Sequence, residues 1–386
     1  MLEDWENGGF GLYIHWPFCE AKCPYCDFNS HVSRSIDQTA WKNAYLIELE
    51  RAARETQGRV LRSVFFGGGT PSLMDPEIVA DIICAIKRHW PTANDLEITL
   101  EANPSSVEAN RFTAYNQAGV SRISMGIQAL NDQDLRKLGR IHSAQDAIKA
   151  FDVARGAFER VSFDLIYARQ DQTLDDWQRE LKQALAMSID HLSLYQLTIE
   201  QGTAFGDRYS AGKLRGLPGE DLGADMFSMT QDLCGEYGMP AYEVSNHARY
   251  GAASRHNIIY WRYGDYVGIG PGAHGRITVD GRRYATECFS NPKRWLDAVS
   301  GDGACEKPRT KLSPEDQSSE FLLMGLRMKD GVDLKRYERL SKGTVPIHAI
   351  EELEDLGMVR INNQRLIVSD EGFMVLNAVI AKLLGA

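Results

Sequence analysis

Through its first two hundred residues the chain alternates short apolar, β-branched runs with amphipathic helical stretches, and few folds accept that alternation. The runs GLYIHWP (11–17), SVFFGGG (63–69), LEITLEANP (96–104), SRISMGIQ (121–128), RVSFDLIY (160–167) and DHLSLYQLTIE (190–200) predict strands. Helical periodicity marks 37–55, 76–90, 143–158 and 174–188. Six β-then-α units in register predict a parallel sheet wrapped by helices. The polar and glycine-rich signals GGGTPS, EANP, Gln128 and Asp164 fall at or just past the C-terminal ends of separate strands. Several strands contributing to one mouth suit a barrel, whereas a doubly wound sheet gathers its ligand contacts at one switch point. The expected fold class is therefore α/β, a partial (β/α)6 TIM-type barrel.

The pattern changes near residue 310. Three helical stretches, a hairpin (MVRI and RLIVS around NNQ) and a closing helix predict a winged-helix-like α+β lid. The expected organisation is a barrel at 1–240, a barrel extension at 241–309 and this lid at 310–386. A winged helix often binds DNA, but residues 311–386 hold 10 Lys+Arg against 12 Asp+Glu, so a structural or partner-docking role is expected instead. The whole chain carries 43 Lys+Arg against 53 Asp+Glu, a formal charge of −10, which argues against a nucleic-acid partner or an anionic membrane surface. No apolar run is long enough for a transmembrane helix, and no secretory leader is visible, so a cytoplasmic location is expected.

Seven cysteines are an odd number, and three of them (Cys19, Cys23 and Cys26) fall within eight residues directly after the first strand. In a chain of this size, that reads as metal chemistry in a reducing compartment. Thiolates favour iron–sulfur clusters or zinc. Zinc would want a fourth ligand, for which His15 and His31 are candidates; a 4Fe–4S cluster bound by three cysteines keeps one iron open. Cys84, Cys234, Cys288 and Cys305 stand singly and read as small buried hydrophobes. Around an open iron, GGGTP (67–71) allows close backbone approach, Glu101 and Asp164 offer carboxylates, and Arg140 offers a fork for a ligand carboxylate. Each also reads blandly, as a tight turn or a structural ion pair.

YIHWPFC-x3-C-x2-C with Tyr25 before the last cysteine, followed by FFGGGTPS, SMGIQ and DLIY, resembles the radical S-adenosylmethionine (SAM) superfamily. Within it, the chain is similar to the oxygen-independent coproporphyrinogen III oxidase-like branch. The resemblance implies a 4Fe–4S cluster on Cys19, Cys23 and Cys26, with SAM chelating the unique iron. It further implies that Tyr13, Tyr25, Gly68, Gly69, Thr70, Glu101, Gln128, Arg140 and Asp164 line the SAM site. The chemistry implied is one-electron cleavage of the sulfonium to a 5′-deoxyadenosyl radical, carried by the cofactors while the protein positions them.

Oxidases of the branch resemble C-x3-C-x2-C-x-C, and here the last position is Phe28. They also carry a longer N-terminal extension than the eighteen residues before Cys19. HNIIYW (256–261) is similar to the HNxxYW motif of the branch's haem chaperones. The resemblance thus implies a haem carrier that delivers to acceptor haemoproteins, with transient contact to membrane-bound acceptors open; the oxidase is the alternative, and an RNA-modifying radical enzyme a third. Read physically, His256 would ligate haem iron, Asn257 would fix its tautomer, and Tyr260 and Trp261 would lie beside the porphyrin; alternatively His256 is a satisfied histidine in a strand. His274 is expected near the SAM site and His247 at the surface. Relatives read DLIYGLPGQT where this chain reads DLIYARQDQT (164–173), which places the loop after Asp164 in question.

Overall fold

The computed structural model describes residues 3–33, 35–301, 303 and 305–385. Six parallel strands run in sequence order through one sheet: β1 (Phe10–Trp16), β2 (Leu61–Gly68), β3 (Thr92–Ala102), β4 (Arg122–Gln128), β5 (Arg160–Tyr167) and β6 (His191–Gln196). Each is followed by a helix: α1 (Gln38–Glu55), α2 (Pro76–His89), α3 (Phe112–Ala118), α4 (Ala144–Ala157), α5 (Leu174–Met187) and α6 (Glu220–Glu236). The starts of α4 and α5 are written in the sequence. Ser143 with Asp146, and Thr173 with Asp176, form reciprocal capping boxes that satisfy otherwise orphaned amides. α3 has only seven residues, too few for a clear period, and ends where Gly119 turns left-handed at φ 107°.

Antiparallel β7 (Asn246–Ala248) extends the far edge beside β6. A short helix, α7 (Arg255–Trp261), precedes β8 (Asp265–Ile269), which pairs in parallel with β1. Antiparallel β9 (His274–Val279), β10 (Arg282–Glu287) and β11 (Thr310–Lys311) complete the other edge, with α8 (Pro292–Ser300) between the last two. The order is β11-β10-β9-β8-β1-β2-β3-β4-β5-β6-β7, and among the described residues its two ends do not pair. This open barrel matches the expected class.

β1 shows how the sequence builds both faces. Phe10, Leu12, Ile14 and Trp16 are fully buried and point toward the helices, where Trp16 meets Trp41 edge-on and Trp41 stacks on Trp295 of α8. Gly11, Tyr13 and His15 alternate onto the barrel interior. Because both faces are covered, the strand reads as nearly continuous apolar sequence.

The C-terminal part has its own hydrophobic cluster and runs α9 (Pro314–Gly325), β12 (Val332–Asp333), α10 (Leu334–Ser341), α11 (Ile347–Asp355), β13 (Val359–Asn362), β14 (Arg365–Val368), α12 (Asp370–Met374) and α13 (Leu376–Leu384). Its sheet order, β12-β14-β13, is that of a winged helix. It is not a lid over the mouth. Arg336 of α10 grips the Asp4 carboxylate at 2.8 and 2.9 Å and the carbonyls of Arg262 and Tyr263, all at the N-terminal ends of β1 and β8. The unit is seated beneath the barrel, opposite the glycine-rich strand ends. Among the described residues no helix is long and apolar enough to cross a membrane.

Candidate functional site

β1 delivers Pro17 and Phe18 into the cysteine loop, which a two-residue parallel pairing of Phe18–Cys19 with His31–Val32 closes. Asn29 pins the loop from inside: its amide donates to the carbonyls of Pro271 and Ser290, and its own carbonyl lies 2.9 Å from His15 Nε2. The three thiols are half-buried and each has a polar neighbour. Thr70 Oγ1 donates to Cys19 Sγ at 3.5 Å, Arg140 Nη1 donates to Cys23 Sγ at 3.3 Å, and Ser30 Oγ lies 3.9 Å from Cys26 Sγ. Burial pushes the Cys19 and Cys26 thiols up. Bound cationic iron would offset that cost and hold them as thiolates.

Under this loop lie the ends of four strands. Gly68 (φ 110°) and Gly69 admit no side chain: a Cβ at Gly68 would fall 2.5 Å from the His15 ring, and one at Gly69 2.6 Å from the Phe18 carbonyl oxygen. Gly68 N–H donates to Glu101 Oε2 at 3.2 Å. Burial, and then the neighbouring Asp164, push the Glu101 carboxyl up to about 8; burial pushes Asp164 up to about 6 against hydrogen bonds from Ser193 and Ser124. Two carboxyls sharing a desolvated site cannot both ionise cheaply. Arg140 also donates to Asn103 Oδ1 (2.8 Å) and the Gly126 carbonyl (2.7 Å), so it braces the cysteine loop against β3 and β4.

Tyr25, Gly68, Gly69, Thr70, Glu101, Gln128, Arg140 and Asp164 thus share one cavity with the three cysteines. Tyr13 does not join them. Its hydroxyl is 3.0 Å from His15 Nδ1 and its ring stacks on Phe65 and His256 deeper in the barrel. The lining also holds residues that the sequence reading does not single out, among them Asn103, which donates to Thr70 Oγ1 at 3.0 Å, Ser124 and His142. Asn103 belongs to EANP and Ser124 alternates with Gln128 along β4, so both carry the strand-end signal in sequence. His142 had no such signal.

The donor set suits a three-cysteine cluster better than zinc. His15 has both ring nitrogens engaged, and His31 Nε2 lies 3.1 Å from Asn29 Oδ1. Among the described residues no three His, Cys, Asp or Glu side chains converge tightly enough for a single metal ion. A cluster needs no such convergence, because it spreads its thiolates over separate irons.

HNIIYW lies elsewhere, in a geometry that differs from the expected one. The motif is the helix α7, not a strand, and it crosses the barrel floor: Glu97 of β3 accepts from Arg255 N. His256 is 2% exposed, with Nδ1 2.8 Å from Ser63 Oγ and Nε2 2.7 Å from the Tyr260 hydroxyl. Neither nitrogen is free for iron. Burial pushes its pKa down to about 3, so it is neutral. Asn257 does not hold the imidazole; it donates to the Tyr242 hydroxyl at 3.4 Å. Tyr260 is wedged edge-on between His256 and Tyr266, and the buried Trp261 Nε1 has no partner among the described residues. From Tyr242 a polar chain climbs the interior through His191 (3.0 Å), Arg122 (3.3 Å) and Ser162 (2.7 Å) to Ser124 (3.1 Å) at the mouth.

Two further histidines exchange their expected settings. His247 is 1% exposed, not superficial, and burial pushes it down to about 4. His274 is exposed and does not line the mouth. The ARQDQT loop keeps a glycine-type backbone without glycines: Ala168 and Asp171 have φ 57° and 59°. Arg169 turns inward, donating to Asp134 (2.8 Å), Glu180 (2.5 Å) and the Ile166 carbonyl (2.6 Å). None of residues 168–171 lines the mouth.

Comparison with known proteins agrees with this architecture. The Radical SAM superfamily profile matches residues 13–184, and the HemN C-terminal domain profile matches 312–375. A bovine protein named Radical S-adenosyl methionine domain-containing protein 1, mitochondrial, is 38% identical over 97% of this chain and 87% of its own length. Proteins named Heme chaperone HemW from Escherichia coli and Bacillus subtilis are 40% and 32% identical, covering 77% and 97% of this chain and 79% and 98% of theirs. The solved structure of E. coli coproporphyrinogen III oxidase (HemN) superposes with a TM-score of 0.80 at 20% identity, over 97% of this chain and 90% of that one, a likeness of fold.

Proposed function

The chain belongs to the radical SAM superfamily, in its oxygen-independent coproporphyrinogen III oxidase-like branch, and from that premise we propose that it is a haem chaperone, binding haem and passing it to acceptor haemoproteins. The observation that carries the reading is its 32–40% identity to relatives named as haem chaperones. Phe28 supports it: this side chain faces the mouth where the branch's oxidases place a further cysteine.

Superfamily membership implies a 4Fe–4S cluster and SAM, and we assign them to the mouth. Cys19, Cys23 and Cys26 would hold three irons, and when bound the cluster would supply an electron to the sulfonium of SAM. The chain's own residues do the positioning. Gly68 and Gly69 present backbone to the ligand, Thr70 and Arg140 steady Cys19 and Cys23, and Glu101 holds its proton at neutral pH beside Asp164. Arg140 spends both Nη2 protons on Asn103 and Gly126 and one Nη1 proton on Cys23, which leaves Nε and the second Nη1 proton for a ligand carboxylate.

The test is anaerobic. Protein with its cluster reconstituted is titrated with haem and followed at the Soret band, then mixed with an apo-haemoprotein. Stoichiometric binding and transfer are expected. In parallel the same protein receives SAM, reductant and coproporphyrinogen III. Repeated turnover to protoporphyrinogen would replace the chaperone reading with the oxidase.

A further inference from the structure

The cysteine loop separates two depressions that differ in size and charge. The mouth measures about 160 Å³ and its lining mixes Glu20, Glu101, Glu108 and Asp164 with Lys22 and Arg140. The second depression measures about 620 Å³ and shares Lys22, Cys23, Cys26 and Gly139 with the mouth. Its other cations are Arg136, Lys137 and Arg208, and no Asp or Glu lines it among the described residues. Lys137 is committed to Asp171 at 3.0 Å; Lys22, Arg136 and Arg208 are exposed and make no ion pair among the described residues. In a chain of net charge −10, that local excess of cations runs against the average.

Two apolar side chains stand in water on the rim of the mouth. Phe28 is 59% exposed and Ile141 is 73% exposed. Both line the mouth, Phe28 two residues beyond Cys26 and Ile141 two beyond Gly139, which face both depressions. Large apolar side chains left in water beside a basic cleft suit a flat apolar ligand with anionic substituents. The unpaired cations of the cleft attract carboxylates, which turns the anionic edge of such a ligand toward Arg136 and Arg208.

We propose that haem docks on this rim, its macrocycle across Phe28 and Ile141 and its two propionates toward Lys22, Arg136 and Arg208. The inference rests on the chaperone reading and adds the place and the recognition chemistry. Recognition runs through ring face and carboxylates, so metal-free protoporphyrin IX is expected to compete with haem.

The experiment titrates cluster-loaded protein with haem, protoporphyrin IX and protoporphyrin IX dimethyl ester, for the wild type and for Arg136→Glu/Arg208→Glu. Both positions are exposed, and an unchanged iron content checks that the variant is intact. The double reversal is expected to weaken both free acids about tenfold, as for loss of a charged contact worth about 1.4 kcal/mol. The ester is expected to bind the wild type about tenfold more weakly than the free acid, and the two about equally in the variant. If the wild type binds haem but neither reversal nor esterification matters, the rim is wrong and the chaperone reading stands. If the reversal slows reduction of the cluster by an acidic flavoprotein and leaves haem affinity unchanged, the cleft is a reductant dock and the proposal falls. If the wild type binds no haem, both readings fall together.

Discussion

His256 Nε2 lies 2.7 Å from the hydroxyl of Tyr260, one helical turn further along α7. With Ser63 on the other nitrogen and the Tyr13 and Phe65 rings stacked on its faces, the imidazole is enclosed in the barrel floor. The HNxxYW pattern is therefore internally bonded in this fold: the first and fifth positions hold one another.

Replacing His256 with Ala is expected to cost about 2–4 kcal/mol of stability, from a cavity and two unpaired hydroxyls. Haem affinity is expected to stay within about twofold, far below the 1.4 kcal/mol that a tenfold loss represents. Chemical denaturation and Soret titration on the same preparation check both. Full stability with lost haem binding would return His256 to the role of ligand.

Single Cys→Ser changes at positions 19, 23 and 26 are each expected to abolish the cluster, because no spare sulfur ligand faces the mouth among the described residues. Arg140→Gln is expected to retain the cluster but leave it more readily lost, since Cys23 and Asn103 both forfeit a charged donor. Iron content against time in a chelator reads the difference.

Protein lacking its cofactors is expected to lose stability as pH rises from about 4.5 toward 8. The folded Glu101 carboxyl keeps its proton to about 8 and Asp164 to about 6, whereas the unfolded chain gives both up earlier. Stability is thus fully present below the unfolded values, declines while only the folded group still holds its proton, and levels off once that group ionises, near 6 for Asp164 and near 8 for Glu101. Glu101→Gln is expected to flatten the upper part of that slope, which denaturation midpoints at pH 5, 6.5 and 8 would show.

The loop after β5 stores strain at Ala168, held in the left-handed region at φ 57°. Ala168→Gly is expected to stabilise by about 0.5–1 kcal/mol, the left-handed penalty outweighing the methyl it buries. Arg169→Leu is expected to cost about 3–5 kcal/mol, because it strands the buried Glu180 carboxylate. A Leu at 169 with Gln at 180 should recover part of that loss. Thermal unfolding of the three variants tests the set; a neutral Arg169→Leu would mean the ion pair has no structural weight.

Local chemistry was enough for much of this. The strand and helix runs, the caps at Ser143 and Thr173, the C-x3-C-x2-C loop and the strand-end positions of Gly68, Glu101, Gln128 and Asp164 follow from periodicity and spacing within a few residues. Those signals are short-range, so they survive without knowledge of the fold. What only the tertiary structure decided depends on partners far along the chain. His256 meets Ser63 across 193 residues, Arg140 reaches Cys23 across 117, and Arg336 holds Asp4 across 332. Crossovers and register set such distances. They turned a suspected haem ligand into the barrel floor and an expected lid into its base, and they set Arg208 beside the cysteines.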